Sequence, residues 1–96
     1  MAIRLSPNAD EDLLDIYTHG LSDYGRGAAD RYILKLFARI DRLADNPYVV
    51  PVRLAREGHE FRLVPVGAHH VFYVIENEDV LVVRVLHGKA NWTEQL

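Results

Sequence analysis

The fold is decided by residues 69–92, which read "HHVFYVIENEDVLVVRVLHGKANW". Residues 69–75 and 80–87 are rich in β-branched and aromatic side chains, which favour strands. Between them, Asn77 and Glu78 are typical of a turn. Apolar residues occupy both alternating sets of positions in each strand, so both faces should be covered. The stretch therefore predicts an antiparallel hairpin in the centre of a small sheet.

The N-terminal segment predicts a short strand followed by a helix. Residues 2–6 alternate apolar and polar side chains, which suits a strand. Ser6 supplies a hydroxyl N-cap, and Pro7 suits the first helical position because its missing N–H is not needed there. Apolar residues then recur at spacings of three and four. We therefore expect helix 1 over about Pro7 to Tyr24, with Ser6 and Pro7 in structural roles.

A second helical pattern follows after a short link that contains two glycines. Apolar residues recur with helical spacing from Ala29 to Ala44. The helix should end before Pro47, because the residue preceding a proline disfavours the α region. We expect helix 2 over about Gly27 to Asp45. The short link predicts that the two helices pack as an antiparallel αα-hairpin.

The segment that joins the second helix to the hairpin predicts mostly irregular structure. Residues 47–60 contain two prolines and a glycine and predict a loop with at most one extended piece. Residues 60–68 alternate, which predicts a strand, but Pro65 cannot donate a hydrogen bond to a neighbouring strand. This strand should therefore lie toward an edge of the sheet or next to a bulge.

These elements define an α+β fold in the order β-α-α-β-β-β. A helical hairpin covers one face of a small, mainly antiparallel sheet, and residues 1–96 form a single domain. The two helices can hide only one face of the sheet. The other apolar face then invites a second polypeptide. Alternatively, the C-terminal tail folds back over it, with Trp92 as its plug.

Composition narrows the possible functions. The 96 residues carry a net charge of −3, and neither half of the chain has a basic surplus. This disfavours direct binding to DNA, which normally requires a basic surface. Cysteine is absent, no apolar run approaches a membrane span, and the N-terminus has no signal-peptide pattern. We therefore expect a cytoplasmic protein without disulfides or membrane contact.

Element order and four motifs resemble the RelE/ParE toxin superfamily, and specifically its ParE branch. The motifs are "SPNADEDLLDIY" at 6–17, "LADNP" at 43–47, "FRLVPVGAHHVFYVI" at 61–75 and "VLVVRVLHG" at 80–88. Together they span nearly the whole chain. The sequence departs from the family after the last motif, where it reads "GKANW" instead of an Arg or Met followed by Asp.

The resemblance implies a toxin made beside a cognate ParD-like antitoxin that wraps and neutralises it in a hetero-oligomer. Such antitoxins combine a ribbon-helix-helix DNA-binding half with a segment that folds on the toxin. ParE-type members resemble inhibitors of DNA gyrase, which bind their target without chemistry and without a cofactor. RelE-type members are ribosome-dependent mRNA endonucleases.

Candidate contact residues follow from the resemblance and from the apolar strand surface that the two helices cannot cover. An amphipathic antitoxin segment should lie in a groove between the helices and the sheet. The candidate antitoxin contacts are Leu13, Tyr17, Arg62, Val64 and Val66. The candidate target contacts are His87, Lys89 and Trp92.

Two rival functions remain open. If the chain were an mRNA endonuclease, its catalytic groups would be Arg62, His70, His87 and Lys89, since the reaction needs cations beside a general acid or base. This set is thinner than a ribosomal nuclease requires, and we expect no enzyme activity. The other rival is an inactive toxin-like module that only binds its antitoxin and assists repression.

Other polar residues have structural interpretations. Arg84 lies inside a central strand and should pair with an acidic residue, one on helix 1 being a candidate. His87 follows three residues later and should point to the opposite face. His69 and His70 are adjacent and should diverge across the sheet, so they cannot share a metal ion. The sequence therefore predicts no metal site.

Overall fold

The computed structural model describes residues 1–55 and 57–92. The elements are β1 (Ile3–Leu5), α1 (Pro7–Tyr24), α2 (Arg26–Arg42), β2 (Arg53–Leu54), β3 (Glu60–Val66), β4 (His69–Glu76) and β5 (Asp79–His87). The predicted α+β order is confirmed, and the two-residue strand β2 is the extended piece that the sequence allowed within the loop of residues 47–60. Neither helix is long and apolar enough to cross a membrane.

The five strands form one sheet in the order β1-β5-β4-β3-β2. The strands β3, β4 and β5 are successive antiparallel neighbours, and the turn between β4 and β5 places both Asn77 and Glu78 at positive φ. Strand β1 pairs in parallel with β5, Ile3 lying opposite Val80. The parallel pair is possible because the two helices carry the chain back across the sheet. The hairpin predicted from residues 69–92 therefore supplies the central strand β4 and its neighbour β5.

The helix boundaries follow local chemistry. Helix α1 begins at Pro7, and the Ser6 hydroxyl accepts a hydrogen bond from the N–H of Ala9 at 3.0 Å. Helix α2 ends at Arg42, three residues before the predicted end at Asp45. The N–H groups of residues 43–45 bond to carbonyls only two or three residues back, so the last turn tightens ahead of the Asn-Pro pair.

The main core lies between the helices and one face of the sheet. It contains buried residues from all the large elements: Ala9, Leu13, Leu36, Ile40, Leu43, Val64, Val66, Val71, Tyr73, Val80, Val82 and Val85. The helices approach closely at one point, where a Cβ on Gly20 would lie 3.3 Å from the Cβ of Ala29. The Tyr73 hydroxyl lies within this core and donates to the carbonyl of Pro47 at 2.7 Å.

The opposite face of the sheet carries a smaller apolar cluster, which the chain itself largely covers. Phe61, Leu63, Phe72 and Leu86 are buried there. The ring of Trp92 packs against them, with its centroid 5.5 Å from that of Phe61 and 5.7 Å from that of Phe72. The expectation that this apolar face lies open for a second polypeptide is therefore wrong, because the chain's own Trp92 covers much of it. The alternative in which Trp92 plugs this face is the one observed.

Strand β3 lies beside an open edge, as Pro65 predicted. Strand β2 pairs only with Glu60 and Phe61, so no described strand pairs with the rest of that edge. Pro65 is exposed there and lies opposite His70 of β4. A proline is tolerated at this position because its missing donor interrupts no interior ladder.

Gly67, in the turn between β3 and β4, provides a stability test. Its φ is +57°, and a Cβ there would lie 2.8 Å from Cε1 and Oη of Tyr32. We expect Gly67→Ala to lower the free energy of unfolding by about 2–3 kcal/mol, through backbone strain and displacement of Tyr32. Gly58→Ala is the matched control, because Gly58 has a φ of +84° and open space around it. Equal losses in the two variants, measured by urea denaturation, would show that the Tyr32 contact is irrelevant.

Candidate functional site

A bulge in β5 places the polar groups that attach helix α1 to the sheet. The register shifts between Phe72 and Tyr73, which lie opposite Arg84 and Val82, so that Val83 is an extra residue. Strand β1 ends before this point. Its place along β5 is taken by Ser6, whose N–H donates to the carbonyl of Val82 and whose hydroxyl donates to that of Val83.

Asp12 on α1 completes the attachment. Its carboxylate accepts hydrogen bonds from Nε of Arg84 at 2.7 Å, from Nη2 of Arg84 at 2.9 Å and from the N–H of Val85 at 2.9 Å. The hydrogen bond to Asp12 raises the pKa of Arg84 above its usual value. Arg84 therefore forms the expected ion pair with the first helix. Its side chain is partly buried rather than fully enclosed.

Strand β5 keeps Arg84 and His87 on opposite faces of the sheet, as predicted. The pairing between them is regular, with Arg84 opposite Phe72 and His87 opposite His69, because the bulge lies on the other side of Arg84. Phe72 belongs to the cluster on the face away from the helices, whereas the ring of His87 lies 5.4 Å from that of His69, which is bonded to α2. The guanidinium of Arg84 nevertheless reaches the carboxylate of Asp12 on α1.

A cleft of about 510 Å³ opens beside this attachment, and we call it the α1–β5 cleft. Its lining combines apolar and aromatic groups with acidic and imidazole side chains: Asp12, Asp15, Ile16, Tyr17, His19, Gly20, Asp23, Tyr24, Ala29, Tyr32, Ala68, His69, Val85, Leu86 and His87. The residues at positions 20, 29 and 68 are small, and their lack of bulk leaves room for the cleft. Among residues 1–55 and 57–92, no Lys or Arg lines this cleft.

Two tyrosines hold the cleft in shape. The Tyr17 hydroxyl donates to Asp30 at 2.6 Å, which ties α1 to α2 and raises the pKa of Tyr17. The Tyr32 hydroxyl accepts from the N–H of Ala68 at 3.0 Å and lies 2.6 Å from Nδ1 of His69. These bonds fix the turn between β3 and β4 against α2, so the cleft is preformed.

His69 makes the stability of this region sensitive to acid. Burial, followed by the nearby His87 and His70, lowers the pKa of His69 below 6.5. The folded state then binds a proton less readily than the unfolded chain. The contribution of neutral His69 is present above pH 6.5 and is lost as the pH falls below that value.

We therefore expect the Tm to fall between pH 7.5 and pH 5, and His69→Gln to reduce that fall. Thermal denaturation followed by circular dichroism at both pH values measures it. His59→Gln, which removes an exposed imidazole, is the control variant. An identical pH dependence in wild type and His69→Gln would contradict this role for His69.

Only part of the predicted antitoxin set is accessible. Leu13, Val64 and Val66 are buried in the main core, so they cannot contact a partner directly, and their selection is corrected. Their apolar periodicity reflected packing of the sheet against the helices. Tyr17 lines the α1–β5 cleft. Arg62 lies apart from it, bonded to the carbonyl of Val50, with its guanidinium 5.1 Å from the ring centroid of Tyr48.

The predicted target contacts lie on different surfaces. His87 borders the α1–β5 cleft, and its Nδ1 accepts a hydrogen bond from the exposed Lys89 backbone N–H at 3.1 Å. Trp92 is half-buried on the opposite face of the sheet, against Phe61 and Phe72. These contacts indicate that Trp92 has a packing role. The sequence left this role open as the alternative to partner binding.

The four residues of the endonuclease hypothesis do not converge. The ring of His70 lies on the Phe72 side of the sheet, 6.3 Å from that ring, whereas His87 lies on the other side. Arg62 lies opposite Tyr73, three residues along β4 from His70 and thus about 10 Å away along the strand. His69 and His70 diverge as predicted. Among the described residues, no three potential ligands are grouped for a metal ion.

Sequence reasoning missed two features of the surface. The cleft depends on Gly20 and Ala29, and the only signal for it was the presence of small residues at apolar positions of both helices. The second feature is an apolar patch in the segment before β3, where the exposed side chains are Tyr48, Val49, Val52 and Leu54. The prolines in that segment indicated a loop, and nothing in the pattern indicated that its apolar side chains point outward.

Comparison with known proteins gives a consistent assignment. Residues 3–92 match the family described as "ParE toxin of type II toxin-antitoxin system, parDE". Toxin ParE1 of Mycobacterium tuberculosis is 35% identical over 92 residues, covering 91% of this chain and 89% of that protein. Toxin ParE1 of Caulobacter vibrioides is 36% identical over 89 residues, covering 92% of this chain and 90% of that protein.

A solved structure extends the comparison to the fold. A chain of the chromosomal ParDE TA system from P. aeruginosa matches with a TM-score of 0.75 and 14% sequence identity, covering 91% of this chain and 95% of that one. At that identity the likeness concerns the fold alone. The sequence matches extend over β1, both helices and the whole sheet, so they cover the elements that build the cleft. The chain therefore belongs to the ParE toxin family of type II toxin–antitoxin systems, within the RelE/ParE superfamily.

Proposed function

We propose that this chain is the toxin of a type II pair, that it acts in the cytoplasm and that a cognate ParD-like antitoxin neutralises it. The antitoxin combines a ribbon-helix-helix half that binds DNA with a segment that folds on the toxin. The observation that carries the proposal is the family match over residues 3–92. The toxin itself does not bind DNA, in keeping with its net charge of −3.

The folding segment of the antitoxin binds in the α1–β5 cleft. Support comes from its preformed, largely apolar walls, which suit the apolar face of an amphipathic segment. Support also comes from charge, because Asp15 and Asp23 line the cleft and no Lys or Arg of the described part of the chain does. The matching antitoxin segment carries apolar anchors together with Lys or Arg side chains. Tyr17, one of the predicted antitoxin contacts, lines this site.

Two exposed tyrosines provide a matched test of this docking site. Tyr24 lines the cleft and Tyr48 lies outside it, and both are more than half exposed. We expect Tyr24→Ala to weaken antitoxin binding about tenfold or more, as removal of an interface tyrosine commonly does. Tyr48→Ala should leave affinity unchanged. Isothermal titration calorimetry measures both, and equal affinities for the two variants would place the antitoxin elsewhere.

We further propose that the toxin acts by binding DNA gyrase, not by chemistry. The scattered positions of Arg62, His70 and His87 support binding over nuclease action, since catalysis requires groups held within hydrogen-bond reach of one reacting centre. His87 and the exposed Lys89 remain candidate gyrase contacts. Trp92 is withdrawn from that set, because its indole packs on the sheet.

Expression in cells separates the proposal from its rivals. Producing the chain alone should arrest growth, co-production of the antitoxin should relieve the arrest, and plasmid DNA from arrested cells should lose negative supercoils. Cleaved message in a translation extract, abolished by His87→Ala, would instead support the endonuclease. Unchanged growth would support the inactive module.

A further inference from the structure

The outer side of the helical hairpin carries an apolar stripe that no other part of the described chain covers. Leu14 and Leu34 are 63% and 64% exposed, and Leu21 and Phe37 are 38% and 39% exposed. The Tyr17–Asp30 hydrogen bond marks where the two helices face each other. Positions three, four and seven residues apart share a helix side, which places Leu14 and Leu21 beside Tyr17 and places Leu34 and Phe37 beside Asp30. The four residues therefore follow the seam between the helices.

Charge is divided between the two helices that border this stripe. Helix α1 carries five acidic residues and no Lys or Arg. Helix α2 carries five Lys or Arg residues and two acidic ones. In the part of the chain that the structure describes, no salt bridge joins α1 to α2. Asp12 is bonded to Arg84, and Arg26 pairs with Asp30. The exposed residues Glu11 and Asp15 on α1 and Arg31 and Lys35 on α2 are available to an external partner.

We propose that a second copy of this chain binds there, forming a two-fold symmetric dimer through the outer face of the helical hairpin. One surface that holds an acidic row, an apolar stripe and a basic row is self-complementary. A two-fold axis parallel to the helices lays α1 of each copy antiparallel on α2 of the other. The result is a four-helix bundle in which acidic rows face basic rows.

The alternative two-fold arrangement is disfavoured by the same charges. An axis across the helices would stack α1 on α1 and α2 on α2, placing like charges opposite each other. In the proposed arrangement, Glu11 and Asp15 of one copy lie near the basic row of the other, which includes Arg31 and Lys35. Such pairs are weakened by salt because they are exposed.

The available area reaches the minimum expected of a specific interface. An 18-residue helix is about 27 Å long, and two helices packed side by side present a face about 20 Å wide. Each copy can therefore bury about 500 Å², or about 1,000 Å² in total, which is the lower end for specific interfaces. The apolar stripe lies outside the α1–β5 cleft and meets its rim at Tyr17 and Asp15. The inference does not depend on the identity of the cellular target.

Sedimentation velocity of the purified full chain tests the dimer. We expect a species of twice the 11.0 kDa chain mass at micromolar concentration, weakened at least tenfold in 0.5 M NaCl. Leu14→Glu/Leu34→Glu should remain monomeric, with an unchanged far-UV spectrum and the Tm of dilute, monomeric wild type, since both side chains are exposed. A wild-type chain that stays monomeric throughout, or a dimer unaffected by Leu14→Glu/Leu34→Glu, overturns the proposal.

Charge reversal tests the arrangement of the two copies. Glu11→Lys/Asp15→Lys and Arg31→Glu/Lys35→Glu should each abolish the dimer, and an equimolar mixture of the two variants should restore it as a heterodimer. A chain that carries all four changes should form a homodimer again. Failure of both the mixture and the fourfold variant to associate overturns the arrangement. If the Leu14→Glu/Leu34→Glu variant instead loses antitoxin binding, the stripe belongs to the antitoxin and the dimer is rejected.

Discussion

Replacing Asp12 with alanine is expected to lower the free energy of unfolding by about 3 kcal/mol. Three N–H donors from β5 converge on this carboxylate, and its side chain is only 13% exposed. The change removes the counter-charge of Arg84 and the acceptor of the Val85 N–H together. Leaving partly buried N–H donors without an acceptor lowers the free energy of unfolding more than removing an exposed ion pair does.

Urea denaturation and thermal melting measure the effect, and the Tm should fall by more than about 10 °C for a chain of this size. Asp15→Ala is the matched control, because Asp15 lies on the same helix, is exposed and forms no salt bridge in the described structure. It should cost less than about 0.5 kcal/mol. Asp12→Asn keeps an acceptor for Val85 and should give an intermediate loss. Similar stabilities for Asp12→Ala and Asp15→Ala would mean that α1 is held by apolar packing alone.

Replacing Trp92 with alanine is expected to cost about 2–3 kcal/mol, the second large effect. The indole is the aromatic cover over Phe61 and Phe72, and neither α1 nor α2 packs on that side of the sheet. Removing it exposes Leu63 and Leu86 as well. The cost is below that of a fully buried tryptophan because Trp92 is half-buried.

Circular dichroism in urea gives the stability, and binding of a hydrophobic dye gives the newly exposed surface. Trp92→Phe is the matched variant, because it keeps an aromatic ring over the cluster and should lose about 1 kcal/mol or less. Wild-type stability in Trp92→Ala, with no gain in dye binding, would show that the tail is dispensable and that the apolar face tolerates water.

Much of the fold was predictable because local signals agreed with the final packing. Ser6 and Pro7 defined the start of α1 through a cap that the structure contains. Apolar residues on both faces of residues 69–75 and 80–87 predicted central strands, and both faces of these strands are packed, one by the helices and one by Trp92. Pro65 predicted an edge.

Long-range geometry was less predictable, since it depends on which residues meet. Asp12 was one of several acidic residues in the first turns of α1, and no local pattern marked it as the partner of Arg84, 72 residues along the chain. Leu13, Val64 and Val66 were selected as contacts because apolar residues facing a partner and apolar residues facing a helix give the same periodicity. The α1–β5 cleft depends on the absence of bulk at Gly20 and Ala29, which becomes visible only when the helices are placed together.

The proposal that this ParE-family toxin acts by binding gyrase is tested most directly by a DNA supercoiling assay with purified components. Gyrase, relaxed plasmid and ATP are combined with the full chain, with and without its antitoxin. We expect the chain alone to inhibit supercoiling in proportion to its concentration, the antitoxin to restore supercoiling, and a His87→Ala/Lys89→Ala variant to be a weaker inhibitor. Full supercoiling at a large molar excess of folded wild-type chain would contradict it.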